Sequence, residues 1–309
     1  MDALWREATR EALMAALRFL PPARRKAIDR WLRGREEARK LAQTEHVLMS
    51  WGKSGRTWLR IMLSRFYQLA YGIPEGRMLE FDNLHRLNPA IPRLFFTHSN
   101  YLRDYTGDWT TKRAFYDKRV IMLVRDPRDV AVSQYFQWKF RMRPVKKLLN
   151  DYPPHGADVP IFDFVIGEGA GMPAILDFFE IWERELPKVK ASLIVRYEDM
   201  RADPAGTLER VLAFLGTPGT PEQIEAAVAY AAYENMKQLE QKDVFWLSGI
   251  RLRPGDRANP DSYKVRRGKV GGWRDYFDER QSAAIDAMLA ARPLPLFGYG
   301  VAQTVERSA

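Results

Sequence analysis

Cysteine is absent from the 309 residues. That removes a disulfide framework, a thiolate nucleophile, a Cys-ligated zinc and an iron–sulfur cluster together. Histidine is scarce: His46, His85, His98 and His155 are the whole set, and no two stand four apart. A helical metal site built on a histidine pair is therefore not expected. Long apolar runs are missing as well. No stretch of about 18 apolar residues occurs, so no transmembrane helix is expected. The first twenty residues carry Asp2, Glu7 and Glu11 where a secretory signal needs an unbroken apolar core. The expectation is a cytoplasmic protein without internal repeats or low-complexity tracts.

What is present is a positive balance. Lys and Arg number 49 against 39 Asp and Glu, a formal net charge of +10. Such a balance points to an anionic partner: nucleic acid, an anionic membrane or a small polyanion. The hydrophobic share of 46% is enough for a packed core, so wholesale disorder is excluded.

Residues 3–42 have helical spacing, interrupted at Pro21-Pro22, and their second half is dense in Arg and Lys. They read as a helical hairpin on the domain surface, or as a basic amphipathic segment able to make peripheral contact with an anionic membrane. From His46 the texture changes. HVLMSW has the short apolar character of a buried strand. A glycine-bearing turn follows, then RTWLRIMLSRFYQLAYG with helical periodicity. Further strands are expected at 93–99, 119–125 and 192–198. Helices are expected after Pro127, over 173–188, from Asp203 to Gly216, and from a Thr220 cap. Strand–loop–helix units in this number predict an α/β domain: a central parallel sheet flanked by helices, with an N-terminal helical extension over 1–44 and one P-loop-like domain over 45–309. Two Pro- and Gly-rich stretches, 143–162 and 241–265, suit lids or substrate walls.

Three constellations carry chemistry. The first is Gly52-Lys53-Ser54-Gly55-Arg56-Thr57-Trp58 between the first strand and its helix. Amides at a helix N-terminus, with a lysine and two hydroxyls, make an anion cradle. A nucleotide-kinase loop would need glycine where Val47 stands, so this loop is too short for a triphosphate. The second is Arg125-Asp126-Pro127-Arg128-Asp129 with Ser133, at the end of the third strand. Arg125 and Ser133 could reach one phosphate; a surface Arg–Asp network is the plainer alternative. The third is the basic, glycine-loosened run Arg266-Arg267-Gly268-Lys269-Val270-Gly271-Gly272-Trp273.

Together these runs resemble the sulfotransferases that use 3′-phosphoadenosine 5′-phosphosulfate (PAPS). The family's PKSGTTW reads WGKSGRTW here, RNPKDVxVSYYxF reads RDPRDVAVSQYFQW, YEDM stands at 197–200, and RKGxxGDW reads RRGKVGGW. The matches keep the family order across about residues 46–275. The resemblance implies a sulfuryl transfer in which His98, Lys53 and Ser133 form the catalytic set. It implies donor contacts from Lys53, Ser54, Gly55, Arg56, Thr57, Trp58, Arg125, Ser133, Tyr197, Tyr233, Arg266, Arg267 and Gly268, with PAPS as donor and no metal. In this reading Arg128 adds to the charge around the donor. Where cytosolic members carry Lys-Thr-His, this chain has Phe96-Thr97-His98, so one positive charge is missing; Arg56, in place of a threonine, is expected to compensate. A neutral histidine is a sound general base, with Glu80 and Asp82 in reserve.

The aromatics Phe95, Phe96, Tyr101, Trp109, Phe136, Phe140, Phe245 and Trp246 suggest a small-molecule or lipid-like acceptor, a hydroxyl or amine; ordinary core packing explains them equally well. The family's C-terminal dimer signature is not found, which leaves the oligomeric state open. The alternative reading is a nucleotide- or membrane-binding protein of the same fold without transfer. A nucleic-acid binder rests on net charge alone, and no nucleic-acid partner is expected.

Overall fold

A computed structural model describes residues 2–242, 244–245 and 252–301. Two helices lead: α1 (Asp2–Ala16) and α2 (Pro22–Ala42), broken where Pro21-Pro22 denies the backbone a continuous ladder. Then come β1 (His46–Ser50), α3 (Arg56–Tyr71), β2 (Leu94–Thr97), α4 (Leu102–Thr106) and β3 (Arg119–Val124). Helices α5 (Pro127–Phe140), α6 (Pro144–Leu149), α7 (Ile161–Ile166) and α8 (Met172–Glu185) precede β4 (Ala191–Arg196). The chain continues through α9 (Tyr197–Ala202), α10 (Pro204–Leu215), α11 (Pro221–Tyr230), α12 (Tyr233–Lys242) and α13 (Glu279–Ala291). The Pro- and Gly-rich stretch 143–162 thus contains a helix, α6, and ends on the first turn of another. Trp246, one of the aromatics considered above, lies outside the described residues.

The four strands form one parallel sheet in the order β2-β1-β3-β4. Parallel strands need crossovers, and the helices that supply them cover both faces. Side chains alternate accordingly. Val47, Met49, Val120, Met122 and Val124 pack toward α5, α7, α8 and α13. Leu48, Ile121, Leu123 and Val195 pack toward α3, α10 and α11. Several cap readings hold at atomic detail. Asp203 accepts from Gly206 N, and Thr220 with Gln223 forms a capping box.

The order of strands decides where a ligand can sit. From β1 the chain steps to β2 on one side, then returns to β3 on the other. The loops leaving β1 and β3 therefore diverge, and a crevice opens at their C-terminal ends.

Candidate active site

That crevice is a cavity of about 1450 Å³. Lys53, Gly55, Arg56, Thr57, Trp58, His98, Arg125, Ser133, Tyr197, Tyr233, Arg266, Arg267 and Gly268 all line it. Ser54, also expected at the donor, is fully buried beneath the loop instead, and its Oγ has no hydrogen-bond partner in the protein. Of the reserve bases, Glu80 lines the cavity, whereas Asp82 is ion-paired with Arg86 and does not.

The loop after β1 is strained. Lys53 adopts φ +75° and Gly55 φ +98°. A left-handed lysine costs on the order of 1–3 kcal/mol, which the packing around it must sustain. Glycine at 55 is required for a second reason: a Cβ there would sit 2.6 Å from Cδ2 of Tyr197. Gly55 also caps α3 without a side chain, so the first-turn amides and the helix dipole face the cavity. The loop therefore has the features an anionic group requires: a close backbone, a cation and an unsatisfied buried hydroxyl.

Lys53 is half-buried, with Nζ 3.5 Å from Gln137 Oε1. Burial, reinforced by the nearby Arg141 and Arg125 guanidinium groups, pushes its ammonium down to about 7. Arg125 reaches across from β3. It donates to the backbone oxygens of Lys53 (3.3 Å) and Lys269 (3.1 Å) and pairs with Asp129 at 3.3 Å. Its guanidinium lies 4.2 Å over the Tyr197 ring, and its Nε is buried without a partner. Trp58 and Tyr233 are fixed by backbone bonds: Trp58 Nε1 donates to Ala231 O (2.9 Å) and the Tyr233 hydroxyl to Arg266 O (2.8 Å). Trp58 meets Tyr197 edge-on at 6.0 Å.

Arg128 departs from the expectation. It binds Asp126 and Asp286 and stacks on Trp273, outside the cavity lining. Asp126 meanwhile caps α5 and donates its amide to Glu198. The RDPRD run thus holds both kinds of residue: Arg125 faces the cleft, while Asp126 and Arg128 build the structural network beside it.

The C-terminal basic loop is held at both ends by buried carboxylates: Glu240, which no motif marked, and Asp129, the last residue of the RDPRD run. Glu240 accepts from Arg141 (2.8 Å) and from the amides of Lys264 (2.7 Å) and Val265 (2.8 Å). Asp129 accepts from the amides of Gly271 (2.9 Å) and Trp273 (3.0 Å). Between these clips Arg266 lies 3.7 Å over Phe136 and donates to the Tyr276 hydroxyl; Arg267 pairs with Asp275. Glu240 could have been suspected only as a charged residue at a helix position facing the core; Asp129 stood inside a marked motif without a role of its own.

His98 stands just past the end of β2. Its Nδ1 lies 2.6 Å from Ser50 O. A carbonyl can only accept, so Nδ1 carries the proton and the Nε2 of the neutral ring keeps a lone pair. Burial, with the Arg56 charge next in weight, holds the imidazole well below its ordinary value. Phe96, which replaces the family lysine, has the Arg60 guanidinium 3.8 Å over its ring. Of the eight aromatics considered as an acceptor wall, seven are described, and of these Tyr101 alone lines the cavity.

Comparison with known proteins is consistent with this geometry. A family model described as "Sulfotransferase domain" matches residues 43–292. A 3-beta-hydroxysteroid sulfotransferase of Cavia porcellus is 24% identical, covering 96% of this chain and 98% of that protein. Cytosolic sulfotransferase 3 of Arabidopsis thaliana is 25% identical over 80% of this chain and 76% of its own length. Among solved structures, mouse sulfotransferase SULT7A1 complexed with PAP superposes with a TM-score of 0.55 at 21% identity, covering 83% of this chain and 89% of that one. A retinol dehydratase in complex with androsterone and inactive cofactor PAP gives 0.52 at 19% identity, over 80% and 79%.

Proposed function

The chain belongs to the PAPS-dependent sulfotransferase family, and on that premise we propose that it transfers the sulfuryl group of PAPS to the hydroxyl or amine of a small acceptor, with His98 as base. The observation that carries this reading is the tautomer of His98. Its Nδ1–H is committed to Ser50 O, so Nε2 is the free basic atom at the cavity wall.

Bound PAPS would supply a sulfuryl group on a good leaving phosphate; the acceptor oxygen or nitrogen bonds to sulfur as the bridging S–O bond breaks. The chain's own residues do the rest. His98 Nε2 takes the acceptor proton as attack proceeds. Lys53 Nζ stands ready to stabilise charge on the departing phosphate oxygen. Ser54, Gly55, Arg56 and Thr57 suit the 5′ end, and Arg125, Ser133, Arg266, Arg267 and Gly268 the 3′-phosphate. Trp58, Tyr197 and Tyr233 offer faces for a base. Arg56 and Arg60 both raise the positive potential felt by His98, which supports compensation for the lysine missing at Phe96.

Cytoplasmic residence is proposed alongside. No helix among the described residues is long and apolar enough to cross a membrane, and a relative is described as cytosolic.

Labelled PAPS and a panel of hydroxylated and amine acceptors test the proposal. His98→Ala and Lys53→Ala should each lower kcat by about 10²–10⁴-fold, and His98→Ala should leave affinity for PAP, the 3′,5′-bisphosphate product, near the wild-type value. Wild-type turnover in His98→Ala would move the base to Glu80. A PAP-dependent rise in Tm without transfer to any acceptor would favour the alternative of a nucleotide-binding protein.

A further inference from the structure

The far end of the cavity, away from the strand termini, is cationic. It is built around Tyr101, three residues beyond His98. Arg30 and Arg33 from α2 lie 5.4 and 5.7 Å from the Tyr101 ring, and Lys146 from α6 lies 5.1 Å from it. Arg103 and Lys112 line the same space.

Some of these charges are already answered. Arg30 pairs with Asp104 and Arg33 with Asp29. Of the acidic residues in this part of the lining, Asp151 is bound to Lys26 and Asp177 to Arg292. Glu37 sits behind Tyr101, accepts from its amide, and is pushed up to about 7 by burial, so at neutral pH it is only partly charged.

Three cations are left over. Arg103, Lys112 and Lys146 have no ion-pair partner among the described residues. Arg103 rests 4.6 Å over Trp109, and Lys146 donates to the Tyr101 hydroxyl at 3.3 Å. Burial pushes Lys146 down to about 8, with Arg33 next in weight, and also lowers Arg103 and Lys112. Carboxylates act on each from beyond ion-pair distance, Asp104 and Asp151 on Arg103, Asp108 and Glu185 on Lys112, Asp29 and Glu37 on Lys146, so the burial of the two lysines is only partly offset in the free protein, and a bound anion would offset more of it.

We propose that the acceptor carries a carboxylate or phosphate group, held by Arg103, Lys112 and Lys146 beside Tyr101, on the same cavity as the hydroxyl or amine presented to His98. The backbone from His98 to Tyr101 spans at most about 10 Å, and the left-handed Ser99 shortens it. The proposal rests on the transfer reading above for its catalytic end only.

Binding to the PAP-loaded protein is measured first, by calorimetry, because it does not depend on transfer. The probes are 4-hydroxyphenyl alkanoates of graded chain length, their methyl esters, and the phosphate monoesters of the corresponding alcohols. At least one acid or phosphate should bind about tenfold or more tightly than its ester, the weight of one charge-assisted hydrogen bond. Lys146→Met and Arg103→Gln should erase that preference while the PAP-dependent rise in Tm reports that the variants are folded. Raising the salt concentration should narrow the preference in the wild type, which provides a check should either variant fail to fold. Esters binding as tightly as acids, or a preference that survives both substitutions, would overturn the proposal. A clear preference for acids without sulfuryl transfer to any of them would sink the transfer reading and leave the anion site standing.

Discussion

At the scale of single residues, the site turns on two protonation states. His98 is held neutral by burial and given a defined tautomer by Ser50 O. Its depressed value keeps it unprotonated, with Nε2 open to accept a proton, at pH values where an ordinary histidine, with a pKa of ~6.5, would already be charged. Lys53 presents the opposite demand in the proposed mechanism, which needs it charged beside the donor. Its free-state value of about 7 is raised once an anion lies beside it, so binding takes up a proton wherever the pH lies between the two values. Affinity for PAP should therefore fall as the pH rises from 7 toward 9. Calorimetry at pH 8 in buffers of different ionisation enthalpy should record proton uptake. A Lys53→Met variant should lose most of that uptake; PAP affinity independent of pH over this range would show that Lys53 is charged throughout.

At the scale of elements, the donor loop after α12 is positioned by carboxylates on other elements. Glu240, on α12, is fully buried and fixes the approach to Arg266; Asp129, on α5, fixes the exit beyond Gly268. Each satisfies two backbone amides and an arginine, so removal strands buried donors as well as a charge. Asp129→Ala should lower stability by about 3 kcal/mol and weaken PAP binding, with denaturant unfolding and calorimetry as the readouts. Asp129→Asn, which keeps the shape and an acceptor oxygen, should recover part of both losses. A full-strength PAP site in Asp129→Ala would mean that the loop is positioned by other contacts.

Gly55 belongs to the same scale. Its left-handed backbone and the Tyr197 ring 2.6 Å from a would-be Cβ tie the loop after β1 to the start of α9. Gly55→Ala should therefore harm donor binding and stability together, by on the order of 1–3 kcal/mol in unfolding free energy. An alanine variant with unchanged Tm and PAP affinity would refute that coupling.

At the scale of the whole molecule, the second N-terminal helix is part of the wall. Two of the arginines of α2 turn inward: Arg30 binds Asp104 and Leu149 O, and Arg33 binds Asp29. Leu41 joins the core, and Gly34 lies so close to Tyr101 that a Cβ would meet its carbonyl oxygen at 2.2 Å. We therefore propose that α2 is integral to the transferase domain and that α1 is the separable part. Deleting residues 1–20 should leave the PAP-dependent rise in Tm in place. Deleting residues 1–44 should abolish it or yield insoluble protein, because Leu41 and the packing around Tyr101 are uncovered. A stable, PAP-responsive fragment beginning near residue 45 would restore the simpler division into extension and domain.

Much of this was legible in the sequence, for a physical reason. The donor cradle is made of consecutive residues whose backbone does the work, so Gly52 to Trp58, Arg125 to Ser133 and Arg266 to Trp273 appear as short motifs at strand and helix ends. The parallel sheet was readable because strands buried on both faces are continuous apolar runs. What the motifs could not convey was which neighbour each charge would meet: Arg125 and Arg128 stand three apart, yet one faces the cleft and the other is consumed by Asp126 and Asp286. The proposed acceptor end was not legible at all. Arg103, Lys112 and Lys146 come from separate segments with no fixed spacing, and no local rule links them to Tyr101. The sequence by itself determined the α/β fold and the donor motifs, because those follow from local periodicity and backbone geometry; only the tertiary structure decided the character of the acceptor end, because charges distant along the chain acquire a common field only when the fold brings them to one wall.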